Sequence, residues 1–255
     1  MRALVATMRN ALAEAAANRS ALASQMAVMI VNDIAWIAFW ILFFHRVGTL
    51  HGWNSDRILL LLAVLTTAGG VTLGLLANAR RVGTMAIEGE LDAVLSLPVP
   101  PLGYLLLRRV EPTNLGDIAF GLTLFAFTGS PTIERTLVFV GVVIAASTLM
   151  TGFLVLTGSL SFFIGRSEGG ELGFHAILLM GSYPVDVFAG MAKVVLYTIV
   201  PAAFVSSVPA RLIDSFNIGL AFWLALIAAV FAFAGWLTFT IGLRRYTSGA
   251  VWTRG

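Results

Sequence analysis

The chain has no cysteine, a single lysine and only three histidines in its 255 residues. Without cysteine there is no disulfide framework and no thiolate metal site. His45, His51 and His175 are far apart in sequence, which argues against a histidine-built metal centre. The one lysine, Lys193, is not preceded by a glycine-rich phosphate cradle, so the chain cannot bind and hydrolyse ATP through a P-loop of its own. There is no Gly-x-Ser-x-Gly elbow, no His-Glu-x-x-His and no acid pair on a wet face, so no catalytic residues are assigned and an enzyme is disfavoured. Charge is scarce as well. Charged residues make up 11%, against about 25% in a soluble domain. Apolar residues fill their place at 58%, with a mean hydropathy of +0.92. That is more apolar surface than one core can bury, so the surplus faces lipid. The net charge of +3 comes without a basic run or stripe, which excludes a nucleic-acid partner. The arginines instead flank apolar stretches, as topology-setting residues do.

The expected fold is all-α and integral to the membrane: one transmembrane domain over 1–255 with six transmembrane helices. Residues 1–25 lack the compact apolar core of a cleavable signal. Within 1–21, Leu4, Val5, Met8, Leu12 and Ala15 share one face, with Arg2 and Arg9 on its flank. That segment reads either as an amphipathic helix in the membrane interface or as the start of the first span. Spans are expected at 22–44, which carries Trp36 and Trp40; 58–77, with Gly70 and Gly74 four apart; 115–128; 136–164; 172–188; and 218–243. Gly129-Ser130-Pro131 is a turn. Gly141, Ala145, Ala146, Gly152 and Gly158 recur along the fourth span as packing positions. Residues 189–210 are read as a re-entrant pair folded at Pro201 and ending at Pro209. The alternative makes 172–188 interfacial and 191–208 the span. Eleven of the sixteen basic residues, Arg254 among them, fall on the side of the N-terminus, the 78–113 loop and the C-terminus, so that side is expected to be cytoplasmic.

Three polar features remain. Asn32 and Asp33 lie near the middle of the first span, where a charge is costly, so Asp33 is expected to face the bundle or a water path. It is either a substrate or ion contact or a buried hydrogen-bonding group between helices. Asp117 and Asp186 sit nearer span ends. The long loop 78–113 holds a helix over 84–97, capped by Thr84 and stopped by Pro98, Pro100 and Pro101. Glu88, Glu90 and Asp92 are its exposed acids, and Met85, Leu91 and Leu95 lie roughly along one face. The helix reads either as a docking projection for a soluble partner or as a solvated connector.

The run Ile87-Glu-Gly-Glu-Leu-Asp-Ala-Val-Leu-Ser-Leu-Pro-Val-Pro-Pro-Leu102, followed by Arg108-Arg109, resembles the cytoplasmic loop of ABC-2-type permeases. The nearest branch is the six-span bacterial permeases encoded apart from their ATPase. The likeness continues, in order, through Ser159-Leu-Ser-Phe-Phe163, Tyr183-Pro-Val-Asp186, Val200-Pro-Ala-Ala-Phe-Val205 and Val208-Pro-Ala-Arg211. The stretch after Phe188, Ala-Gly-Met-Ala, lacks a proline that the family pattern has. The resemblance implies the membrane half of an ATP-driven transporter, usually an exporter, in the bacterial inner membrane with both termini cytoplasmic. It implies a second permease, a copy or more readily a paralogue, and two ATPase subunits that carry ATP and Mg, with no cofactor on this chain. Helix 84–97 becomes the coupling helix, with Glu88, Gly89, Glu90, Leu91, Asp92 and Leu95 toward the ATPase. Segment 1–21 becomes a connecting helix. Asn32, Asp33 and Asp117 become candidate lining of the translocation path. Pro184, Asp186, Pro201 and Pro209 fall in the outer re-entrant region. A secondary carrier without an ATPase and a non-transporting membrane scaffold are the competing readings.

Overall fold

Three long helices begin where a short polar side chain can hold their first free N–H groups. Asn54 accepts from the Arg57 amide, Thr132 from Arg135 and Asn217 from Leu220, so each acts as an N-cap. The computed structural model describes residues 2–17, 19–128, 130–166 and 168–246; Gly129 of the expected turn and Arg254 lie outside these. The elements are α1 (Arg2–Ala17), α2 (Arg19–Val47), α3 (Ser55–Gly69), α4 (Val82–Ile87), α5 (Leu91–Leu95), α6 (Pro101–Leu107), α7 (Pro112–Thr128), α8 (Ile133–Ser159), α9 (Ser161–Ile164), α10 (Gly169–Gly181), α11 (Gly190–Thr198), α12 (Val208–Asp214) and α13 (Ile218–Leu243). No strand occurs among the described residues; Leu50 and Trp53 form one isolated bridge.

Contacts between named residues set the direction of each helix. Gly70 of the α3 extension meets Asn114 while Thr67 meets Gly121, so α3 and α7 run antiparallel. Gly116 meets Met26, early in each of two helices, so α7 runs with α2. Ser147 bonds to the Ala68 carbonyl and Thr151 to Thr72, so α8 runs with α3. Phe153 meets Phe231 edge to face, and Phe162 of the following α9 meets Phe239 in the same way, so α13 runs with α8. Gly173 meets Phe153 and Gly169 meets Thr157, so α10 opposes α8. Six helices thus alternate along one bundle, with 78–113 at one end and 182–217 at the other.

Packing explains which helix is central. α3 buries ten of its fifteen residues, among them Ile58, Leu61, Ala63 and Val64, and its threonines return their hydroxyls to backbone carbonyls one turn back. α8 and α13 cross where Gly152 meets Gly235: a Cβ on Gly235 would lie 2.5 Å from the Gly152 carbonyl oxygen. Lipid gives helices no hydrophobic reason to associate, so this backbone approach carries the contact. α2 and α13 are outermost and expose Val28, Val31, Ile34, Leu42, Phe222, Trp223, Val230 and Phe233.

Among the described residues, four helices are long and apolar enough to cross a membrane, at 19–47, 55–75, 133–164 and 218–243. A fifth candidate is the pair Gly190–Thr198 and Ala203–Asp214, bent by 70° at the Pro201 break. α7 has 17 residues and α10 has 13, about 25 Å and about 20 Å of helix against a hydrocarbon core of about 30 Å.

Several expected boundaries shift. The segment 172–188 ends as helix at Gly181, because Pro184 bars helical backbone at Tyr183. The 189–210 segment does not end at Pro209: a π-helical turn at Ala203–Ser207 leads into α12, and Pro209 sits in that helix's first turn, where no N–H is needed. The span 58–77 is not straight. It becomes π-helical over Gly70–Leu75, and the Gly74 carbonyl accepts from the Glu111 amide at 2.8 Å, closing the base of the 78–113 loop. Finally, 84–97 is two helices rather than one. Gly89 at φ +77° breaks it, a conformation that side chains resist, and Thr84 lies inside α4 instead of capping it.

Candidate functional site

The 78–113 loop folds back on the bundle. Asn78, almost fully buried, donates from Nδ2 to the Leu105 carbonyl at 2.8 Å, pinning α6 beneath α3. Met85, Leu91 and Val94 turn inward, and α4 packs on α8 and α9. Arg81 reaches Glu90 at 3.5 Å, and Arg80 reaches Glu171 at 3.8 Å while lying over the Phe174 ring. The surface expected from sequence is therefore rearranged. Leu91 is 1% exposed and serves the chain's own core, and Glu90 is engaged by Arg81. What the tip presents is Ile87, Glu88, Leu95 at 41% exposure, and Leu97, with Gly89 as the hinge between α4 and α5. Asp92 stands in the first turn of α5.

Deeper in the bundle, a cavity of about 300 Å³ opens between α2, α3, α7 and α10. Asp33 and Asp117 both line it, each more than nine-tenths buried. One carboxyl oxygen of each, Asp33 Oδ2 and Asp117 Oδ1, has no hydrogen-bond partner among the described residues. The other Asp117 oxygen accepts from Asn114 at 3.4 Å. In sequence α3 and the 78–113 loop lie between these acids, and the α2/α7 crossing at Gly116 brings them to one site. Asn32 stands beside them on the exposed side of α2. Trp36, Phe120 and Phe174 supply aromatic walls.

At the far end Asp186 is the organising group. It accepts from Trp53 Nε1 at 2.9 Å, from Lys193 Nζ at 2.8 Å and from the Arg211 guanidinium. Arg57 forks onto Asp214 at 2.7 and 2.9 Å. Pro184 precedes Asp186, Pro201 marks the bend and Pro209 begins α12; all three prolines are buried. The Val185 amide donates to Ser207 Oγ at 3.0 Å, tying the turn to the π-helical segment. Sequence reasoning picked out Asp186 but not its donors, although the chain's one lysine seven residues on was a usable signal.

Alternating apolar helices, a tip of two short helices at one end and buried acids facing an internal cavity are the features of a helical membrane protein. A family model described as "ABC-2 family transporter protein" matches residues 30–250, and the chain belongs to that family as a transmembrane permease. Comparison with curated proteins and with solved structures found no match.

Proposed function

We propose that this chain is the membrane half of an exporter in the bacterial inner membrane, driven by two separate ATPase subunits that carry ATP and Mg. The six alternating helices α2, α3, α7, α8, α10 and α13 are its spans, with the short α7 and α10 completed by flanking turns. The loop end is cytoplasmic. Arg80, Arg81, Arg108, Arg109, Arg244 and Arg245 gather there together with Arg9, Arg19 and Arg166, against Arg46, Arg57, Arg135, Lys193 and Arg211 at the far end. A second permease, a copy or a paralogue, covers part of the apolar surface of α2 and α13.

The observation that carries this reading is the tip. Ile87 and Leu95, on two short helices fixed by buried residues behind them, and Leu97 just after the second are exposed apolar side chains, with Glu88 alongside. A solvated connector would not combine such a rigid base with such an apolar outer surface. The tip is the coupling surface, and α1 is the connecting helix beside α6. Closure of the ATPase pair presses on α4 and α5, the load passes to α8 and α9, and the helices rock as rigid bodies between inward-open and outward-open states.

The test is affinity purification in mild detergent. The wild-type chain should retain an ATPase subunit of about 30 kDa, the size of one such domain with an extension. A Leu95→Asp/Leu97→Asp variant should insert normally and lose it. Absence of any ATPase from the wild-type preparation, or equal retention by the variant, would overturn the proposal.

A further inference from the structure

We infer that the cavity holding Asp33 and Asp117 binds an organic cation with an apolar or aromatic body. The inference begins from polar groups left over. Two buried carboxyls face a space walled by Trp36, Phe120 and Phe174, and neither lysine nor arginine lines it. Asn32 bonds to Asp33, and several other neighbouring donors are already committed. Thr66 returns its hydroxyl to the Leu62 carbonyl, Ser182 to Leu178, and Asn114 gives its amide to Asp117. His175 uses Nδ1 on the Glu171 carbonyl. Among the described residues Asp33 Oδ2 and Asp117 Oδ1 have no hydrogen-bond partner, at a depth where a lone acid is expensive.

A ligand that satisfies them brings positive charge, and the aromatic walls favour a cation over an anion or a neutral molecule. An inorganic divalent ion fits less well, because no group of three or more acidic or histidine ligands converges among the described residues. The volume of about 300 Å³ lies at the lower end of small-molecule sites. Asn32, polar and exposed at mid-helix on an otherwise apolar surface, marks the mouth.

Calling this ligand the transported substrate rests on the permease reading; its binding does not. The test therefore uses the full chain alone, in nanodiscs of zwitterionic phosphatidylcholine and without any ATPase. Tetraphenylphosphonium and tetraphenylborate have the same shape and opposite charge. Equilibrium dialysis, corrected for empty nanodiscs, should show saturable binding of the phosphonium and none of the borate. Asp33→Asn/Asp117→Asn should weaken phosphonium binding about tenfold or more, the loss expected for charge-assisted contacts. Equal saturable binding of both probes, no saturable binding of either, or unchanged affinity in a folded double variant overturns the inference. Should the double variant not fold, the cation preference of the wild-type chain decides alone. If the inference fails while an ATPase still co-purifies, the permease reading stands and only the ligand class falls.

Discussion

Replacing Asp186 with alanine removes one acceptor from three donors, and the structure separates what each loss costs. Trp53 is 2% exposed, so its indole N–H has no water to turn to once Asp186 is gone. An orphaned buried donor costs about 1–3 kcal/mol. The Lys193 and Arg211 side chains are 41% and 38% exposed and can turn to solvent, so each lost ion pair costs about 0–1 kcal/mol. Asp186→Ala should therefore destabilise the chain by about 2–4 kcal/mol. Asp186→Asn keeps an oxygen for Trp53 and should lose less than half of that. Heating in mild detergent, followed by intrinsic tryptophan fluorescence, reads the difference. At about 2–4 °C per kcal/mol for a chain of this size, alanine should lower the midpoint by about 4–16 °C and asparagine by less than half as much. A Trp53→Phe background sharpens the assay, because there the alanine substitution should cost much less than in the wild type. If asparagine proves as damaging as alanine, or if the Trp53 and Asp186 effects simply add, the indole contact does not carry the cluster and the reasoning fails.

Two other perturbations probe the bundle. Gly235→Val drives a side chain about 1 Å inside ordinary contact with the Gly152 carbonyl, with backbone on both sides and nothing able to give way. It should cost about 1–3 kcal/mol and broaden the size-exclusion peak, whereas Gly141→Val, which meets nothing within 4 Å, should be silent; equal behaviour of the two would remove the α8/α13 contact from the account. Because the chain has no cysteine, single introduced thiols report sidedness directly. Ser96→Cys should react with a membrane-impermeant maleimide only in inverted vesicles and Ser215→Cys only in intact spheroplasts, and the reverse pattern would invert the proposed orientation.

The sequence was informative wherever a one-dimensional property decides the outcome. Long apolar runs bounded by arginine placed α2, α8 and α13 to within a few residues, since an N-cap and a charge at each end act locally. Pro201 announced a bend because a proline within a helix removes a hydrogen bond and crowds the preceding turn. The spacing of Gly70 and Gly74 signalled a close helix contact, and both meet Asn114 of α7. The 78–113 loop was recognisable as a unit, but its faces were not. A helical wheel drawn through 84–97 assumes continuous helix, and the left-handed backbone at Gly89 resets the phase, so Leu91 turns inward and Leu97 outward.

By itself the sequence determined that this chain lives in lipid, has no phosphate cradle of its own and belongs among permeases, because composition and local motifs carry that information without reference to distant residues. Tertiary structure alone decided that Asp33 and Asp117, on helices separated in sequence by α3, share one cavity, and that Trp53, Lys193 and Arg211 converge on Asp186. The physical reason is the same in both places. Which polar groups meet depends on where glycines let backbones touch and on the direction each helix takes through the bundle, and neither is a property of any single stretch of chain.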